Sequence, residues 1–145
     1  MALPHNPSIG DTLSENDRQE LVEYSREVLD ACPFCARRRA VEFTPSEFDH
    51  SIMQFEPLNP VTPGHMLFVP SDHVEHRNGD YYTDAHARRA MWAAHAYAIS
   101  RDEDFNLITS SGSAATQTVN HVHIHYVPRR ADDGLHLPWT GQVSS

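Results

Sequence analysis

From His121 to Pro128 the chain reads His-Val-His-Ile-His-Tyr-Val-Pro. Histidine is the side chain whose charge changes near neutral pH, and its neutral ring can attack an electrophile or bind a metal. In an extended chain a spacing of two puts His121, His123 and His125 on one face and Val122, Ile124 and Tyr126 on the other. Such a row admits three kinds of chemistry. One ring can act as a nucleophile with its neighbours as hydrogen-bond donors; two or three can hold one catalytic metal ion, making a metal-dependent hydrolase; or the row can line a binding site that performs little catalysis. The only cysteines, Cys32 and Cys35, form a second constellation. In a reducing compartment Cys-x-x-Cys reads as metal ligands or a redox pair rather than a structural disulfide.

These groups need a scaffold to position them. A chain of 145 residues supports one domain with a sizeable core. Its net charge of −9 argues against broad binding to a nucleic acid polymer or an anionic membrane, and leaves room for a local cationic pocket. No apolar run reaches the roughly 18 residues of a membrane span. Met1–Asp11 contains no Lys or Arg and no apolar core, so it does not read as a signal peptide, and the expected location is cytoplasmic.

Residues 1–13, with Pro4, Pro7 and Gly10, read as an N-terminal arm. Ser14 is a helix cap, and Leu21, Tyr24, Val28 and Leu29 share one stripe, predicting a helix over 15–30 that Cys32-Pro33-Phe34-Cys35 ends. Strands are expected at 41–44, 51–55, 65–70, 105–110 and 121–127, with a turn at Pro45-Ser46, a rigid proline-rich loop over 57–64 and a turn at 111–113. Asp80–Asp84 carries cap-type residues. Ala87, Ala90, Met91, Ala94 and Ala98 recur at helical spacing, giving a second long helix. Residues 131–145 read as an irregular tail, with Trp139 as an anchor, leaving 14–130 as the domain. The order of elements implies an α+β fold: an antiparallel sheet of about five strands with two main helices.

Four segments together, in this order, resemble the histidine triad (HIT) family of nucleotide-binding proteins: Cys32-Pro33-Phe34-Cys35, Pro63-Gly64-His65-Met66-Leu67-Phe68-Val69-Pro70 with His73 behind it, Gln117-Thr118-Val119, and His121-Val122-His123-Ile124-His125. The resemblance implies a HIT-like fold paired into a two-fold dimer, to which Met91, Trp92 and Tyr97 would contribute. It also implies a hydrolase or transferase in which His123 attacks the α-phosphorus of a purine nucleotide or dinucleotide conjugate and carries the nucleotidyl group covalently. His125, Gln117, Thr118 and Val119 would hold the phosphoryl oxygens, and His65 would set the protonation of the triad. Phe34, Phe55, Leu58 and Leu67 would sandwich the base. By the same resemblance a structural Zn²⁺ would sit on Cys32, Cys35, His73 and His121, with His76 competing for the third place; two sulfurs and two nitrogens suit tetrahedral zinc.

Three positions depart from the family pattern. Pro57 stands where many members grip the ribose with an acid or Asn, which shifts that role to Glu56, Asn59 or backbone. Thr116 replaces a Gly before Gln117, and Ser110 replaces an Asn or Gln. Pro128-Arg129-Arg130 supplies cationic side chains of a kind suited to a longer polyphosphate.

Overall fold

The computed structural model describes residues 14–76 and 81–138; the expectations for the arm, for Asp80 and for Trp139 lie outside them. Ser14 caps helix α1 (Glu15–Ala31) through a capping box with Asp17, satisfying donors that the first turn leaves open. Pro33 then starts a further helix, α2 (Pro33–Ala40), because a ring with a fixed φ and no N–H suits the first helical position. The Cys-Pro-Phe-Cys segment therefore opens a helix rather than merely closing one, and among the described residues a short third helix stands beside the two main ones expected. The apolar stripe of α1 is not buried: Leu21, Tyr24 and Leu29 are exposed, and α1 lies against α2.

The remaining elements are β1 (Thr44–Pro45), β2 (Ile52–Phe55), β3 (Met66–Pro70), α3 (Tyr81–Ser100), β4 (Phe105–Ile108), a 3-10 turn (Ser113–Ala115) and β5 (Ile124–Pro128). The sheet is antiparallel throughout, in the order β1-β2-β3-β5-β4. Three expected strands are shorter than their sequence patterns. Val41 adopts a left-handed conformation at the end of α2, so the first strand begins only at Thr44 and runs through the expected Pro45 turn. The fourth stops at Ile108. The histidine strand starts at Ile124, so His121 and His123 precede the ladder.

Strand alternation divides the sheet into two faces. Ile52, Phe68, Ile124 and Tyr126 meet Ala90, Ala93, Ala94 and Ala98 of α3, all of them buried. Alanines at helical spacing let the helix sit close to the sheet, and Tyr97 packs its ring 5.2 Å from Phe68 and 5.1 Å from Tyr126. Arg89 grips Asp49 through two bonds of 2.7 and 2.9 Å, tying α3 to the loop before β2. The opposite face presents Met53, Phe55, Leu67 and Val69, against which Cys32, Phe34 and Cys35 of the α2 segment pack. Among the described residues no helix is long and apolar enough to cross a membrane.

Candidate active site and metal centre

Sheet register puts the chemistry on the α2 face. Phe55 pairs with Leu67, Leu67 with His125, and His125 with Ile108, so one rung crosses four strands with all four side chains on the same face. This rung floors a cavity of about 540 Å³. Gly64 makes the turn into β3 with φ +88; a Cβ there would meet Pro128 at 3.3 Å, so both the conformation and the close approach call for glycine. That turn sets His65 beside His125.

Hydrogen bonds fix the tautomers of these rings. The Val61 N–H donates to His65 Nδ1 at 3.2 Å, so His65 Nε2 bears the proton and donates to His125 Nδ1 at 2.9 Å. His125 is left with a proton on Nε2, as a donor in a cavity-lining ring. His123 Nδ1 donates to the carbonyl of His121 at 2.6 Å, leaving the Nε2 lone pair as its nucleophilic position. The rings of His123 and His125 lie 5.1 Å apart. All three imidazoles are held neutral. Burial lowers the His123 pKa and outweighs the opposing His121 carbonyl. Burial, then the neighbouring His123 and His65, brings His125 down to about 4. Burial lowers His65 against the pull of Glu56.

His121 belongs to a different site. Its Nδ1 lies 3.4 Å from Cys32 Sγ and 3.8 Å from Cys35 Sγ, and His73 Nδ1 lies 3.4 Å from Cys35 Sγ. The four donor atoms all fall within 4.8 Å of one another. Edges of about 3.5 Å are what tetrahedral S₂N₂ coordination at zinc bond lengths requires. The outer nitrogens are also engaged as metal-binding histidines require: His121 Nε2 donates to Pro70 O at 2.9 Å and His73 Nε2 to Glu75 at 3.1 Å. The donor set therefore fits a tetrahedral metal ion. Burial and the adjacent Cys32 push the Cys35 thiol up to about 12, so thiolate at this site needs a cation to offset its charge. His76 instead meets Thr109 Oγ1 at 3.2 Å, and His73 is the histidine that joins the cluster. The histidine row does not converge on one metal: His121 turns to the cysteines, while His123 and His125 line the cavity.

Other expected residues are distributed unevenly. Phe34, Phe55, Leu58, Asn59, Leu67, Gln117, Thr118 and Val119 all line the cavity, Leu58 only at an exposed rim. Phe34 stands edge-on to Phe55 at 5.6 Å and to His123 at 5.2 Å. The Gln117 amide braces its own loop, accepting from the Gly112 N–H at 2.7 Å and donating to the Val119 carbonyl at 3.0 Å. Glu56 is exposed and is not part of the lining. Thr116 has a left-handed backbone, φ 64, which is the physical reason a glycine suits that position. Arg129 is committed to Asp133, Asn106 and the Leu135 carbonyl, so it braces the cavity wall where a phosphate-binding cation was expected.

Sequence reasoning missed Arg37, Asn106 and the segment Leu135–Leu137, all of which line the cavity. Arg37 lies three residues after Phe34, so reading a helix from Pro33 would have placed both on one side. It stands 4.6 Å over the Phe55 ring. Asn106 pairs with Val127 in the strand register. The tail segment carries no periodic signal and is held by Arg129. Among the described residues the lining contains Arg37 and Arg129 and no Asp or Glu, in a chain of net charge −9. With Arg129 paired to Asp133 and His65, His123 and His125 neutral, Arg37 and the N–H donors of the lining are what the cavity offers an anion.

The HIT domain family model matches residues 46–132, and the chain belongs to that family. It is 31% identical over 120 residues to a Saccharomyces cerevisiae protein named adenosine 5'-monophosphoramidase, covering 77% of this chain and 72% of that one. It is 32% identical over 111 residues to a bis(5'-adenosyl)-triphosphatase of Dictyostelium discoideum, covering 70% and 67%. The chain spans about two thirds of such relatives, 66% of one from Bacillus subtilis. A crystal structure described as a Zn-bound histidine triad family protein from Mycobacterium smegmatis superposes with a TM-score of 0.56 at 30% identity, covering 74% of this chain and 81% of that one.

Proposed function

We propose that this protein is a nucleotide hydrolase or nucleotidyl transferase that cleaves purine nucleotide conjugates through His123. The observation that carries the reading is the neutral His123 ring, its Nδ1 proton committed to the His121 carbonyl, on a cavity that among the described residues is lined without carboxylates. His123 Nε2 attacks the α-phosphorus. An N–P bond forms as the bond to the leaving group breaks, and the leaving group departs with the electron pair and takes up a proton from solvent. Water, or another acceptor hydroxyl, then attacks phosphorus, loses its proton to solvent, and breaks the N–P bond, restoring the neutral ring. His125 donates its Nε2 proton as a hydrogen bond to a phosphoryl oxygen, with Thr118 and the amides of the 117–119 turn beside it. Phe34, Phe55, Leu58 and Leu67 hold the base, and Asn59 serves the ribose. Names of relatives support two leaving groups, an amine and a nucleotide.

The fit of Cys32, Cys35, His73 and His121 supports a bound Zn²⁺. With four protein ligands it keeps no open position, so its chemistry is structural. A one-to-one zinc content that disappears in Cys32→Ser is the expected result. We extend the proposal to a two-fold dimer, supported by the exposed Trp92 and Ile99 on α3 and checked by sedimentation.

The test is hydrolysis of adenosine phosphoramidate beside diadenosine tetraphosphate, on wild type and His123→Asn, with mass detection of an adenylylated protein under single turnover. Turnover that vanishes in the variant, with an adduct on wild type only, is expected. Near-normal turnover by His123→Asn removes the mechanism.

A further inference from the structure

The metal centre and the cavity share parts. His121 supplies its imidazole to the Cys-His cluster and its peptide carbonyl to His123 Nδ1, at 2.6 Å. That carbonyl lies outside the sheet ladder, because β5 begins only at Ile124. Its position depends on local ties: the His121 ring held between Pro70 O and the two sulfurs, the His121 N–H on Val119 O, and the Val122 N–H on Val74 O at 2.7 Å. The second shared part is Phe34, which sits in sequence between the two thiols. Its ring is edge-on to His121 at 5.8 Å and to His123 at 5.2 Å, and it lines the cavity. The helix that carries Phe34 has eight residues, and its cap Cys32 makes no side-chain capping bond. Such a helix is marginal alone and relies on what fastens it to the sheet.

We propose that Cys32, Cys35, His73 and His121 act as positioning residues for catalysis: the metal they bind sets both the carbonyl that orients His123 and the ring that walls the base site. This rests on the nucleotide reading above and adds a coupling to it. By linkage, metal binding and nucleotide binding then strengthen each other by the same factor. Partners that orient a functional histidine at a metal site are worth about ten- to a hundredfold in metal affinity or activity when lost, and a loss of that order is expected here.

The test compares zinc-loaded, cadmium-loaded and metal-free protein, with circular dichroism to verify the fold. One readout is the ¹⁵N signature of the His123 ring, which reports its tautomer without any nucleotide. The other is AMP affinity by calorimetry. In the zinc form His123 holds its proton on Nδ1. Metal removal is expected to mix the tautomers and weaken AMP binding by about tenfold or more, and cadmium, with longer bonds to sulfur, is expected to shift the His123 resonances. Phe34→Leu in the zinc form is expected to weaken AMP binding while retaining the metal. Unchanged His123 signals and AMP affinity across all folded forms overturn the coupling. If the metal-free form unfolds, the cadmium form decides: unshifted His123 resonances overturn the proposal and shifted ones uphold it. Failure of the zinc form to bind AMP overturns the nucleotide reading instead, and the His123 signature still tests the link between metal and ring.

Discussion

The two faces of the sheet are built from alternate residues of the same strands and end in opposite conditions. On the α3 face, Phe68, Ile124 and Tyr126 are covered by a 20-residue helix whose alanines fill the gap. On the other face, Met53, Phe55, Leu67 and Val69 meet Cys32, Phe34 and Cys35 at an eight-residue helix fastened to one side, and a cavity of about 540 Å³ remains beside it, with His125 in its floor. The long helix completes a core, while the short one leaves part of a hydrophobic face open and supplies the wall that a ligand needs. The chemistry sits where the covering helix runs out. The comparison predicts that variants on the two faces separate: α3-face changes alter stability, and cavity-face changes alter rate.

The widest separation is between His123→Asn and Phe68→Ala. The first is expected to lower kcat by at least about a thousandfold with little change in Tm, since it removes the proposed nucleophile and keeps a polar amide that can still donate to the His121 carbonyl. The second empties a fully buried site and is expected to cost about 3–5 kcal/mol, with normal turnover per folded molecule. Stopped catalysis in folded Phe68→Ala protein would break the division between the faces.

Next in size is His65→Leu. It removes the acceptor for the Val61 N–H and the donor that fixes His125. His125 is then free to adopt the other tautomer, with a lone pair where the proposed phosphoryl oxygen needs a proton. A fall in kcat of about ten- to a hundredfold with a near-constant KM is expected. Steady-state kinetics with both substrates measures it; a rise in KM alone would assign His65 to binding.

Acid separates the faces by pH. The neutral His125 has a folded pKa of about 4, below its ordinary value of 6.5. The unfolded chain therefore binds the extra proton first, and stability present above about pH 6.5 is lost as pH falls through 4. On the α3 side, the Arg89 and Ser51 bonds outweigh burial and hold Asp49 at about 2, against 3.8. Its contribution is present above pH 3.8 and is lost as pH falls through about 2. In a series of Tm against pH, His125→Gln should flatten the upper window and Asp49→Asn the lower one. If His125→Gln leaves the upper slope unchanged, His125 is not the group that titrates there.

Much of this arrangement was legible before the structure. Strand-type runs and helical spacing found four of the five strands and the two long helices, the first strand meeting its expected range only at Thr44, and a spacing of two put His123 and His125 on one face. That Cys32, Cys35, His73 and His121 would gather in one cluster followed from the family resemblance together with the chemistry of the donors. What escaped has physical reasons. Pro33 looked like a terminator because proline both ends and begins helices, and only packing decides which. The stripe on α1 looked like a core face, but among the described residues α1 lies mainly against α2 and buries no residue. Leu135–Leu137 line the cavity because Arg129 reaches across the chain to hold them, and a contact made through one ion pair leaves no period in a sequence. The Gln117 side chain was read as pointing at a ligand, whereas its loop needed both ends of the amide.

The smallest effects fall on backbone strain, and they also divide by face. Val41 ends α2 at φ 55 and Thr116 stands beside the cavity at φ 64, while Asp102 follows the end of α3 at φ 53. All three are left-handed, and the residue types differ in what that costs. A β-branched side chain crowds the backbone there, at about 1–2 kcal/mol, whereas Asp tolerates the region through local hydrogen bonding. Glycine relieves the crowding and loses about 0.4–1 kcal/mol to the greater freedom of the unfolded chain. Val41→Gly and Thr116→Gly should therefore gain about 0.5 kcal/mol, and Asp102→Gly should gain nothing or lose slightly. Urea midpoints measured side by side test this. Equal shifts in all three would mean that the cavity side carries no more strain than the packed side, and that its openness costs the fold nothing in backbone geometry.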